Sequence, residues 1–131
     1  MFNKKKQPPI KSLIAEGSEI EGNFKFAEGL RIDGAVFGNL MAKIDQPSIL
    51  VISESATVTG EIHADHIIIN GTVIGPVYAR VMLELQPKAR ITGDVHYTAL
   101  EMHQGALIAG QLRPLVGAEE KPTLKLAANN A

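Results

Sequence analysis

One short motif, apolar-x-Gly-x-apolar, recurs along this chain and leaves few folds open. Its six copies are Ile20-Gly22-Phe24, Val36-Gly38-Leu40, Val58-Gly60-Ile62, Val73-Gly75-Val77, Ile91-Gly93-Val95 and Ile108-Gly110-Leu112, with glycine intervals of 16, 22, 15, 18 and 17 residues. A second motif, apolar-x-apolar, precedes most of them: Leu30-Ile32, Leu50-Ile52, Ile67-Ile69, Leu83-Leu85 and Leu100-Met102. Both have a two-residue period, and turn-prone pairs such as Asp33-Gly34, Asn70-Gly71, Gln86-Pro87 and Gln104-Gly105 separate them, so they read as short strands. A repeat this short cannot bury its own apolar face and must stack on copies of itself.

The expected fold is therefore all-β: a single-stranded parallel β-solenoid of about six coils. Composition agrees, since Ile, Val and Leu dominate the apolar 45% and there is no Trp. Alternation turns Val58, Gly60 and Ile62 inward, and Thr59, Glu61 and His63 outward. At roughly 4.8 Å per coil, six coils make a rod on the order of 29 Å long. The 22-residue interval after Gly38 implies an insertion, with Lys43-Ile44-Asp45-Gln46-Pro47-Ser48 as the bulging loop. Pro76 has no N–H for a strand ladder and is the one blemish in the pattern.

Three zones follow from composition. Residues 1–13 form a flexible basic arm, 14–115 the β-helix domain, and 116–131 a disordered tail rich in small and polar residues. The first eleven residues carry four lysines and no acid, for +4, while the remaining 120 hold nine basic and fourteen acidic groups, for −5. A basic arm on an acidic body points to an anionic partner for the arm alone, and without a basic stripe on the body nucleic acid is not expected. The lack of cysteine excludes disulfides and thiolate chemistry and fits a reducing cytoplasm. No apolar run approaches the 18 residues or so that would span a bilayer, and no secretory signal is visible.

In their order and spacing, MFNKKK, LIAEGSEIEGNF, LRIDGAVFGNL, LVISESATVTGEIHA, IIINGTVIGPVYA and LELQPKARITGDV resemble the bactofilins, bacterial cytoskeletal proteins. The resemblance implies a right-handed triangular β-helix that polymerises without nucleotide. It also implies membrane-associated filaments, peripheral on the inner face of the cytoplasmic membrane, that position cell-wall enzymes and influence cell shape. The residues agree on the nucleotide, since no phosphate-binding glycine motif is present.

The same stretches hold residue types that could carry chemistry. His63, Asp65 and His66 suggest a metal site or an acid/base pair. His63 and His96, however, fall in one outward column with Tyr78 between them and Lys25, Met41 and Arg113 beyond. His103 falls near the column of Ser53, Asn70 and Gln86, and His66 at a corner. Zinc needs three or four ligands at ~2.0–2.3 Å from one ion, so no metal or other cofactor is expected. No catalytic residue is expected either, because Glu54, Glu61, Glu84, Asp94 and Glu101 fall on outward positions with no implied pocket. The alternative is a left-handed hexapeptide-repeat enzyme, an acyltransferase or zinc carbonic anhydrase with interfacial histidines. Three hexads make 18 residues, near the mean interval of 17.6, but intervals of 15, 17 and 22 break that register.

Two features remain as functional signals. Met1, Phe2, Lys4, Lys5 and Lys6 form a membrane-binding arm: Phe2 suits the headgroup boundary, and each lysine is worth ~1 kcal/mol near anionic lipid. Weak single arms gain avidity on a polymer. The solenoid's open ends are the other signal, because uncapped strand edges invite pairing and no capping helix is evident. Ile14, Ile20 and Phe24 in the first coil, and Leu100, Met102, Ile108, Leu112 and Leu115 in the last, are the expected polymer contacts. Head-to-head and tail-to-tail contacts, as the resemblance suggests, would leave a filament without polarity.

Overall fold

Among the described residues, the two-residue alternation is realised as sixteen strands with every pairing parallel. The computed structural model describes residues 7–115 and a strand at 123–126. Coil one is β1 (Ile10–Ile14), β2 (Glu19–Glu21) and β3 (Phe24–Phe26); coil two is β4 (Gly29–Ile32), β5 (Ala35–Phe37) and β6 (Leu40–Ala42). Coil three takes β7 (Ile49–Ile52), β8 (Thr57–Thr59) and the start of β9 (Ile62–Ile69). Coil four runs through the rest of β9, β10 (Thr72–Ile74) and the start of β11 (Val77–Leu85). Coil five completes β11 and adds β12 (Arg90–Thr92) and the start of β13 (Val95–Met102). Coil six finishes β13 and adds β14 (Leu107–Ala109) and β15 (Leu112–Pro114), and β16 (Thr123–Leu126) follows.

Each coil visits three faces in turn. Face two is a six-stranded sheet in the order β14-β12-β10-β8-β5-β2. Faces one and three form one sheet, because β9, β11 and β13 bend across their shared corner without a break. The motifs define the inward columns. Ile20, Val36, Val58, Val73, Ile91 and Ile108 lie in register on face two. Leu30-Ile32, Leu50-Ile52, Ile67-Ile69, Leu83-Leu85 and Leu100-Met102 do so on face one. In coil four, Ile67, Ile69, Val73 and Val77 have no exposed surface at all. At ~1.5–3 kcal/mol per buried aliphatic side chain, this column packing is what makes short strands worth ordering.

The motif glycines stand at the corner between faces two and three, not in the core. Gly38 and Gly60 have φ of +152° and +148°, a region that side chains avoid. A Cβ on Gly60 would overlap the carbonyl oxygen of Gly38, and one on Gly38 that of Gly22. The glycines therefore stack backbone on backbone, and the expectation of an inward glycine is corrected to a corner glycine. At the next position the N–H meets a side chain of the preceding coil: Asn23 Oδ1 accepts from Asn39 N (3.1 Å), and Asn39 Oδ1 from Glu61 N (2.9 Å). Pro76 occupies this same slot, outside any strand, so it removes no ladder bond.

Two boundaries shift from the sequence expectation and one holds. The solenoid begins at Ile10, inside the expected 1–13 arm. The insertion falls at 43–48 as expected, with Ile44 83% exposed at its tip. Its return is fixed by Ser48, whose Oγ accepts from Asp65 N (3.0 Å) and whose carbonyl accepts from His66 N (3.1 Å). Finally, residues 123–126, expected within a disordered tail, form β16. The physical reason is Leu124-x-Leu126, the same apolar alternation, which stands in register with Leu100 and Met102.

Candidate functional site

Outward positions are set by the same registers, so the candidate side chains can be followed column by column. On face three the column reads Lys25, Met41, His63, Tyr78, His96, Arg113, as the spacing predicts. Its three rings stack: His63 on Tyr78 at 4.3 Å and 10°, and Tyr78 on His96 at 4.2 Å and 13°. His63 Nε2 is 3.0 Å from Glu61 Oε1. Below, Arg113 Nε donates to Asp94 Oδ2 (2.8 Å), and this bond, with the Gln111 N–H, holds the Asp94 carboxyl below its ordinary range.

His63, Asp65 and His66 do not converge. Asp65 instead accepts from Arg80 Nε at 2.7 Å. His66 sits at the corner between faces three and one, with Nδ1 3.1 Å from Gln7 Nε2 and Nε2 buried without a partner among the described residues. Burial pushes this imidazole below its ordinary value, against the attraction of Glu84 and Glu101. Gln7, Pro8 and Pro9 line one shallow cleft with Glu28 and with Gln46 and Pro47 of the insertion. Met1, Phe2, Lys4, Lys5 and Lys6 lie outside the described residues.

One cluster escapes a reading centred on histidines. Glu84 and Glu101 are register neighbours on face one. His103 Nε2 reaches both, at 3.3 Å from Glu84 Oε2 and 3.6 Å from Glu101 Oε2. Gln86 Nε2 also donates to Glu84 (3.3 Å). Among the described residues this is the one group of three with metal-ligand chemistry in mutual reach. The signal was available as a 17-residue separation of two outward acids, one coil apart, with a histidine two residues on.

The expected polymer contacts divide by burial. Ile14 and Leu100 are buried, at 6% and 1% exposed. Ile20, Phe24, Met102 and Ile108 are half-buried against the core. Leu112 and Leu115 are 46% and 44% exposed, joined by Leu107 at 58% in the same coil and by Ile10 and Leu13 at 46% and 57% in the first. Sequence reasoning missed Leu13 and Leu107 because they occupy outward slots. On the last coil, β14 and β15 have no outer partner among the described residues, whereas β13 is paired with β16, so the expectation of an uncapped end is corrected for face one.

Stacked parallel coils with apolar side chains exposed in the first and the last of them define a β-solenoid. A family described as "Bactofilin: Polymer-forming cytoskeletal" matches residues 12–113. The chain belongs to the bactofilin family. No curated protein and no solved structure matched it.

Proposed function

We propose that this chain is a non-enzymatic scaffold that assembles through its end coils, without nucleotide, into membrane-associated filaments. On this reading the filaments lie on the inner face of the cytoplasmic membrane and position cell-wall or morphogenetic proteins. The observation that carries it is the set of strand edges left unpaired among the described residues, β1, β2 and β3 at one end and β14 and β15 at the other, with Leu13, Leu107, Leu112 and Leu115 exposed in the same coils. Edges of this kind are templates for another chain. The family's polymer-forming character supports the same step. Membrane attachment rests on the basic, Phe-containing arm, and many arms on one filament multiply a weak contact.

Electron microscopy of the purified full chain, free of nucleotide and metal, tests the assembly. Extended polymers are expected, and discrete trimers with bound zinc would overturn it in favour of a hexapeptide-type enzyme. The arm is tested in the same preparation by replacing Lys4, Lys5 and Lys6 with Glu. Co-sedimentation with vesicles containing phosphatidylglycerol should be lost while polymers persist; retained sedimentation would move the membrane contact elsewhere.

A further inference from the structure

The last coil offers three strand edges to a second copy, and one is already occupied. Residues Ala99–Met102 of β13 pair with β16 along Ala99↔Thr123, Leu100↔Leu124, Glu101↔Lys125 and Met102↔Leu126. A strand edge accepts one neighbour. We propose that β16 is a removable plug on the assembly edge, a segment of the chain itself that a second copy must displace before it can stack on coil six. The proposal rests on the end-to-end reading above and adds its regulation.

Two observations favour a plug over an ordinary seventh coil. First, the plug is partial: it closes face one only, and Leu107 on face two and Leu112 and Leu115 on face three stay exposed. Second, it can leave without unwinding the rod. Eight residues, 115–122, separate β15 from β16, whereas β13 crosses the same corner unbroken.

The absence of cysteine makes the test clean. In the full chain, Glu101→Cys with Lys125→Cys places two thiols at register-paired positions, whose separation of roughly 4.8 Å lies within disulfide range. Oxidation should form the bond within one chain and block filament growth, and reduction should restore it. Disulfide-linked dimers, no bond at all, or unchanged growth of the locked form would each overturn the plug. The converse variant, Leu124→Asp with Leu126→Asp, should lower the critical concentration for assembly roughly fivefold and speed hydrogen exchange at residues 99–102. An unchanged or higher critical concentration would overturn the proposal. If the wild-type chain forms no polymer at any concentration while exchange at 99–102 still responds, assembly itself is the failed reading and β16 is a structural cap.

Discussion

The two ends of the rod are built from the same motifs and finish differently. At the amino-terminal end, β1, β2 and β3 each have a single partner among the described residues, in coil two, and Ile10 and Leu13 face solvent. At the carboxy-terminal end, the corresponding edge on face one is filled by β16, and among the described residues faces two and three are open. A solenoid has no intrinsic last coil, because each coil offers the next the pattern it received. What ends it is a change in side chains or an occupied edge. Here the first end stops with exposed apolar residues, and the second stops with a borrowed strand.

That contrast predicts which surface carries assembly at the second end. Leu112 and Leu115 lie on the face that β16 leaves open. Replacing both with Arg puts two charges into a contact that must be dry, and desolvating an unpaired charge costs several kcal/mol. Filaments should be lost while the circular dichroism of the folded coil is retained. Unchanged filament length by microscopy would remove the face-three contact and leave the ends unequal for some other reason.

A smaller effect distinguishes ends from middle. Ile69 is fully buried in coil four, with a coil packed on each side, whereas Ile20 in coil one is half-buried with a neighbour on one side only. Ile69→Ala should cost about 2–5 kcal/mol, as for other buried aliphatic truncations, and Ile20→Ala clearly less, measured by denaturant unfolding below the assembly concentration. Equal losses would mean that the end coil is as tightly determined as the middle. In a one-dimensional stack, where each coil touches only its neighbours, that outcome is not expected.

The same nearest-neighbour logic explains what could be read from the sequence. Inward columns were legible residue by residue, because burial demands a strict period and Val36, Val58 and Val73 supply it. The outward His63-Tyr78-His96 column followed from that register, though stacked rings did not, since stacking depends on rotamers. The Glu84-Glu101-His103 cluster was not anticipated because acids on outward slots were judged one at a time, when in a solenoid the relevant neighbour lies a coil away. The corner glycines were assigned the wrong direction because alternation holds within a strand and fails where φ turns positive. β16 was obscured by its flanks: Leu124-Lys125-Leu126 carries the repeat's apolar alternation, but its low-complexity surroundings outweighed three residues of pattern.

The smallest predicted effect concerns pH and again separates the two ends. His66 touches Gln7 of the arm segment through Nδ1 and feels Glu84 and Glu101 of the last coils, so it reports on the rod between them. Burial holds its folded value below the ordinary 6.5, and the unfolded chain therefore takes up the proton first on acidification. By linkage, the contribution of His66 to stability is complete above pH 6.5 and declines as the pH falls below it towards the folded value. His66→Gln removes the titrating group, so the variant's unfolding midpoint should fall less than the wild type's between pH 7.5 and 5.5. Identical slopes would show that the ring relaxes into water on protonation, with the Gln7 contact opening freely. A flatter slope in the variant, with the Glu101→Cys and Lys125→Cys disulfide closed in both chains, would place the sensitivity at the arm corner and not at the plugged end.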